Sequence, residues 1–104
     1  MTGGWERGRG WGVVDRPDEG EHGGTLYAAP LATGVIHVLR GPAAVVARAA
    51  CTGGDLEHLR GAVASDLGTD VDSVDVEALA ELLDELTDLG LVRRADAREG
   101  SVAR

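Results

Sequence analysis

The chain has few aromatic side chains and no lysine. Its 104 residues include no Phe, two Trp and one Tyr, and all ten of its Lys or Arg positions are Arg. Proteins that bind single-stranded nucleic acid without sequence preference stack successive bases on several aromatic side chains of one surface. The composition therefore disfavours a base-stacking surface of this kind.

The chain also has a single cysteine and no long apolar run. Cys51 cannot form an internal disulfide, which is typical of proteins in a reducing compartment, so we expect a cytoplasmic location. No segment approaches the roughly 20 apolar residues of a membrane-spanning helix, and the N-terminus lacks the pattern of a signal peptide. We therefore expect no membrane partner.

Basic residues are almost absent from the central part of the chain. Residues 1–54 carry five Arg against five acids, whereas residues 55–90 carry eleven acids against one Arg. Residues 91–104 carry four Arg against two acids, and the formal net charge is −8. A negative field over 55–90 repels phosphate, so we expect no nucleic-acid partner.

The first half of the chain predicts three short strands separated by turns. The strand segments are 11–15, 25–31 and 35–39, and the last of them, VIHVL, is rich in β-branched residues. Such an order is typical of an antiparallel meander. Residues 1–10 are rich in glycine and lack apolar periodicity, which indicates a flexible N-terminal tail.

The second half predicts three helices. The first begins at Gly41-Pro42 and covers 43–51, and the second covers 56–67 with Asp55 as its N-cap. The third begins after Ser73 or Asp75 and ends at Gly90. It combines a leucine stripe with an acidic opposite side, through Leu79, Leu82, Leu83, Leu86 and Leu89, and through Glu77, Glu81, Asp84, Glu85 and Asp88.

The predicted fold class is therefore α+β, with a three-stranded antiparallel sheet followed by three helices. We place the folded domain at 11–92 and interpret 93–104 as a flexible C-terminal tail. A single domain of this length has a small core, which commonly contributes only a few kcal/mol of net stability.

The element order over about residues 12–92 resembles that of the PqqD-like family. These are small winged helix-turn-helix domains that are also called RiPP recognition elements. The segments that carry the resemblance are the strand pair TLYAAPL and VIHVL, the helix start RGPAAVV, the turn CTGGD and the helix DVEALAELLDELTDLGLV.

The resemblance implies that the chain binds the leader segment of a ribosomally synthesised precursor peptide. It implies delivery of that peptide to a modifying enzyme such as a cyclase, a protease or a radical enzyme. The leader would add as a strand to the edge of the third strand and contact the third helix. The implied peptide-binding residues are Val35, Ile36, His37, Val38 and Leu39 of the strand and Leu79, Leu82, Leu83 and Leu86 of the helix.

The residues themselves permit this hypothesis without requiring it. The third strand has no Lys and no internal Pro, the two residue types that commonly block pairing at a sheet edge. The leucines of the third helix could line a groove beside that strand, or they could all face the core, which is the commoner role of such a stripe.

No motif for catalysis or metal binding stands out. His22, His37 and His58 are widely separated, and neither C-x-x-C nor H-E-x-x-H occurs. The acidic residues between 66 and 75 lack the spacing of a calcium-binding EF-hand. We therefore predict no catalytic residues, no metal site, no cofactor and no enzymatic activity.

Two other functions stay open at this point. A winged helix-turn-helix regulator would share the topology, but its DNA-reading helix should present Arg, Asn or Gln rather than acids. A dimeric interaction module could pair through the leucine stripe or the third strand. The sequence does not determine the oligomeric state.

Overall fold

The computed structural model describes residues 4–20 and 23–95. Its strands are β1 (Gly4–Arg7), β2 (Trp11–Arg16), β3 (Thr25–Pro30), β4 (His37–Arg40) and β5 (Val92–Ala95). Its helices are α1 (Pro42–Thr52), α2 (Leu56–Leu67) and α3 (Val76–Leu89), and a short 3-10 helix covers Val71–Ser73. The strands form a three-stranded antiparallel sheet in the order β2-β3-β4 and a two-stranded antiparallel sheet, β1-β5. The prediction of an α+β chain with three helices and an antiparallel sheet is confirmed.

Helix α1 is the centre of the core. It packs against β1, β3 and β4 on the strand side and against α2 and α3 on the helix side. Its buried residues are all small or β-branched: Ala44, Val45, Val46, Ala47, Ala49 and Ala50. Short side chains let neighbouring elements approach closely on several sides, so the helix is buried more fully than a one-sided stripe predicts.

Helices α2 and α3 begin and end at the residues that the sequence predicts. The Asp55 carboxylate accepts a hydrogen bond from the His58 N–H at 2.9 Å, and that of Asp75 accepts from the Glu77 N–H at 3.0 Å. Gly90 ends α3 in the left-handed region, with φ of 100°. None of the described helices combines the length and apolarity needed to cross a bilayer.

The N-terminal tail prediction is wrong for residues 4–7, which form β1 and pair with β5. The Trp5 residue is only 8% exposed, and its backbone N–H donates to the Gly54 carbonyl oxygen at 2.8 Å. The neighbouring glycines reflect close packing rather than mobility. A Cβ on Gly4 would lie 2.6 Å from the Gly54 oxygen, and one on Gly8 would collide with the Gly90 carbonyl.

The C-terminal tail prediction is likewise wrong for residues 93–95, which belong to β5. The Arg93 guanidinium forms an ion pair with Glu6 across the strand pair. The Arg94 guanidinium lies 4.7 Å from the centre of the Trp5 ring, in a cation–π geometry. Residues 1–3 and 96–104 lie outside the described residues, and for them the tail assignment stays a prediction.

The hydrogen bonds at the end of the β3–β4 ladder show which residues of β4 direct their backbone groups towards β3. The Gly41 N–H donates to the Gly24 carbonyl oxygen at 3.3 Å, just past the end of the ladder. Hydrogen-bonded and non-hydrogen-bonded pairs alternate along an antiparallel ladder, so His37 and Leu39 are the β4 residues whose backbone groups face β3. At the other end, the next β3 residue whose backbone would face β4 is Pro30.

The strand predicted over 35–39 lies at His37–Arg40 instead. Pro30 has no N–H to continue the ladder, and its carbonyl oxygen accepts a hydrogen bond from the Gly34 N–H at 2.7 Å. Pairing therefore stops before residue 36, and Val35 and Ile36 lie in the irregular segment between the turn and β4.

Arg48 joins the sheet to the helices. Its Nε lies 2.7 Å from the Asp15 carboxylate of β2, and its Nη1 lies 2.7 Å from the Asp66 carboxylate of α2. Its Nη2 also donates to the Gly23 carbonyl oxygen at 2.9 Å. The hydrogen bond to Asp15 is the main cause of a raised Arg48 pKa, so this cation stays charged and fixes the relative positions of the three elements.

Candidate functional site

The free edge of the three-stranded sheet lies along β4. The backbone groups of Val38 and Arg40 face away from β3, because they alternate with those that face it. Within 4–20 and 23–95, no further strand pairs with β4 on this side. We call the outward N–H and C=O groups of Val38 and Arg40 the β4 margin. Such groups can pair with an added strand.

The sheet face opposite α1, here called the outer face, carries several exposed apolar side chains. Residues directly opposite each other in an antiparallel pair share a face, so Val38 lies beside Tyr27 and Tyr27 beside Val14. Val38 is 44% exposed, Val14 is 52% exposed, and Ile36, next to β4, is 65% exposed. An exposed apolar cluster of this kind marks an interaction surface more often than an isolated apolar residue does.

A hollow of about 490 Å³ opens on the outer face. Its lining includes Gly12, Val14, Tyr27, Ala29, Leu31 and Ile36. The two smallest of these, Gly12 and Ala29, lie directly opposite each other in the β2–β3 ladder. Because small side chains meet there between larger ones, the surface is concave rather than flat.

The opposite face of β4 contacts the body of the protein. His37 and Leu39 lie across from Ala28 and Leu26, both of which are buried. The His37 ring lies 5.5 Å from the ring of Trp11, tilted by 43°. Both β4 residues are half-buried, so an added strand would meet part of each side chain on this face.

A second, smaller concavity of about 170 Å³ lies among the helices. Its lining includes Pro42, Val46, Leu67, Val74, Leu79 and Leu82. Pro42 follows β4 after a single residue, so this concavity begins close to the end of that strand. Leu82 is half-buried there, whereas Leu79 is 2% exposed and forms its floor.

The remaining helix residues of the predicted site belong to the core. Leu83 is 0% exposed and Leu86 is 4% exposed, so neither offers a surface to a peptide. The groove prediction is wrong for these two residues. The four leucines share one side of α3, and because that side packs against α1 and β5, most of the stripe is used by the core.

The acids of α3 and two arginines of the three-stranded sheet lie on different elements of the molecule. The acids of α3 are all exposed: Glu77, Glu81, Asp84, Glu85 and Asp88. On the outer face, Arg16 of β2 and Arg40 of β4 both lie opposite Thr25 of β3, on either side of it. The outer face therefore presents two cations at the end where β2 and β3 connect.

The β2–β3 connection folds over that end of the sheet. The Thr25 hydroxyl donates to the Glu19 carbonyl oxygen at 3.0 Å, and the Tyr27 hydroxyl donates to the Glu19 carboxylate. This second hydrogen bond raises the pKa of Tyr27 above its usual value. Glu19 thus limits the hollow on one side and holds the Tyr27 ring in place.

Side chains that bind metal ions do not cluster in the described ranges. No cluster of three His, Cys, Asp or Glu residues there could hold a metal ion. Cys51 is half-buried near the end of α1, and burial raises the pKa of its thiol, which disfavours the reactive thiolate.

Comparison of the chain with protein-family models, with curated proteins and with solved structures finds no match. Function is therefore inferred from the geometry of the described surface.

Two features of this surface were not predicted from sequence: the hollow at Gly12 and Ala29, and the pair Arg16 and Arg40 beside Thr25. The alternation of side chains in β2 and β3 was visible, but the faces could be assigned only with the register. For β4, the register also depends on Pro30, because the β3–β4 ladder ends before that residue.

Proposed function

We propose that this protein binds the leader segment of a ribosomally synthesised precursor peptide and delivers it to a modifying enzyme. In this proposal the chain is a PqqD-like winged helix-turn-helix domain that works in the cytoplasm without catalytic residues of its own. The leader adds to the sheet as a fourth strand beside β4.

The observation that carries the proposal is the β4 margin. Val38 and Arg40 direct backbone donors and acceptors away from β3, and no described strand occupies that side. Their hydrogen bonds with an added strand would give affinity for any extended peptide, and the side-chain surfaces beside the strand would give specificity.

Apolar surface on both sides of β4 supports the same conclusion. On the outer face an added strand would continue the row formed by Tyr27 and Val38. On the other face, the side chains of the added strand would lie next to Leu39 and extend towards the concavity that begins at Pro42. A peptide with apolar residues in both sets of alternating positions fits this arrangement better than an amphipathic one.

An NMR titration tests the proposal. The ¹⁵N-labelled protein is titrated with a synthetic peptide that spans the leader of a precursor encoded beside its gene. We expect the largest saturable amide shifts at Val38 and Arg40. Shifts confined to α3, or none at saturating peptide, would contradict strand addition at β4.

Proline substitutions on the two edges of the sheet provide a matched pair. Val38→Pro removes an outward N–H of β4 without removing a β3–β4 hydrogen bond, so the sheet is retained while peptide binding is lost. Val13→Pro makes the same exchange on β2, where the Leu31 N–H to Gly10 oxygen bond shows that the backbone N–H of Val13 also points away from β3, although its side chain packs against the core. The β2 variant should retain binding, and circular dichroism checks that both variants fold.

A further inference from the structure

The β4 margin ends in an arginine whose backbone and side chain are both available to a bound strand. Arg40 is exposed at the last position of β4, and its side chain lies on the outer face opposite Thr25. It forms no ion pair with any residue of 4–20 or 23–95. After Gly41, which has φ of 61°, the chain turns into α1 and leaves this end of the edge open.

A second cation adds to the field of Arg40. Arg16 lies on the same face, on the other side of Thr25, two strand spacings or about 10 Å away. Glu19 is an acid of the neighbouring connection, and its carboxylate accepts the hydrogen bond of Tyr27. Both arginines lower the pKa of Tyr27 against the effect of Glu19, which is consistent with their charges lying on the Tyr27 side of the sheet.

The neighbouring outward position is apolar. Val38 lies two residues before Arg40 on the same face, and its side chain is partly exposed beside Tyr27. A strand that pairs with the β4 margin places one side chain beside Val38 and another beside Arg40. Side chains in such cross-strand positions have Cβ atoms about 5 Å apart, which is within reach of a carboxylate–guanidinium pair.

We propose that Arg40 determines peptide specificity by pairing with an Asp or Glu of the bound strand, two residues from an apolar side chain that contacts Val38. This inference rests on the proposed function, because it assumes strand addition at β4. The ligand class is thus a leader in which an Asp or Glu lies two residues from an apolar side chain, on the same face of the added strand. Although the protein carries a net charge of −8, the acids of α3 lie on a different element from this end of the sheet.

Selection from a phage-displayed library of random linear peptides tests the inference. The library is selected in parallel on the native protein, on Arg40→Glu and on Arg9→Glu. Arg9 is an exposed arginine next to the opposite end of β2, so its reversal changes net charge equally without touching the β4 margin. Circular dichroism confirms that each variant is folded.

We expect peptides selected on the native protein and on Arg9→Glu to share an acid two positions from an apolar residue. Peptides selected on Arg40→Glu should carry Arg or Lys at that position. For one selected peptide, reversing either charge should weaken binding about tenfold, and reversing both should restore it.

Two results would overturn different statements. An unchanged preference for acids on Arg40→Glu, with binding still lost in Val38→Pro, would refute the role of Arg40 and leave strand addition intact. Selected peptides that bind Val38→Pro as well as the native protein, or a selection that enriches none, would refute strand addition itself.

Discussion

Helix α3 and the outer face of the three-stranded sheet both carry apolar side chains, but only those of α3 are covered by the rest of the protein. The buried leucines of α3 pack against α1 and β5, and its acids face solvent. On the sheet, the face towards α1 is buried through Leu26 and Ala28, whereas Val14 and Val38 are exposed on the outer face.

This difference separates the apolar residues that the fold buries from those that it leaves exposed. An antiparallel sheet with one solvated face normally carries polar side chains there. Here the solvated face keeps valine, isoleucine and leucine around a hollow, next to an unpaired strand. Apolar area that the fold itself does not bury is the part of the surface that a partner can bury.

The largest expected effect is that of Leu83→Ala in α3. Leu83 is fully buried, so its truncation removes transfer free energy and leaves a cavity, at a cost of about 4 kcal/mol in unfolding free energy. Val38→Ala on the outer face should cost less than about 1 kcal/mol, because that side chain is already half in water. Urea denaturation of both variants measures the contrast, and equal losses would show that the outer face is part of the core.

Trp5→Ala tests whether the two-stranded sheet covers the helical core. We expect a loss of about 3 kcal/mol, less than the Leu83 value, since the buried Trp5 Nε1 has no hydrogen-bond partner among the described residues and its removal relieves that penalty. Thermal denaturation compares this variant with Arg9→Ala, a surface change expected within about 0.5 kcal/mol. A Trp5 variant as stable as Arg9→Ala would restore the interpretation of 1–10 as a tail.

Gly12→Val should fill part of the hollow without harming the fold. A Cβ at this position would lie 3.4 Å from the Leu31 side chain, an ordinary contact, and valine is favoured over glycine in a strand. We expect a gain of about 0.5 kcal/mol in chemical denaturation. The control is Gly54→Val, where φ of 136° and the adjacent His58 ring should make the same exchange destabilising. A destabilised Gly12 variant would indicate that the hollow beside Leu31 has no room for a valine side chain.

The smallest effect concerns ionisation of Tyr27, the only tyrosine of the chain. Its hydroxyl donates to the Glu19 carboxylate, so loss of the proton would bring two negative charges together and the pKa lies above the usual 10.0. Because the pKa of Tyr27 is higher in the folded state, its protonated hydroxyl stabilises the folded protein. This stabilisation is complete below the unfolded-state pKa and is lost as pH rises through the folded-state pKa.

Ultraviolet titration of the phenolate measures this pKa directly. In Glu19→Gln the pKa of Tyr27 should fall towards its usual value, whereas Glu81→Gln on α3 should leave it unchanged. Identical titrations of the native protein and Glu19→Gln would show that Glu19 does not hold the Tyr27 ring in place.

The helices were predictable because their signals are local. Asp55 and Asp75 cap the helices that follow them, and Gly90 supplies a left-handed end whatever packs nearby. The terminal strands were not predictable, since Gly4 and Gly8 give the same local signal in a mobile tail and in a strand packed tightly against another backbone. The partner that distinguishes the two cases lies about fifty or more residues away in the sequence.

The sequence by itself determined the three helices and their ends, the three strands of the larger sheet in outline, and the concentration of acidic residues in 55–90. These follow from spacing, capping and composition within a few neighbouring residues. Only the tertiary structure decided that Leu83 is core while Val38 is surface, and that Arg16 and Arg40 flank Thr25. Those outcomes depend on strand register and on which faces meet, and a one-residue shift of register would exchange the two faces of β4.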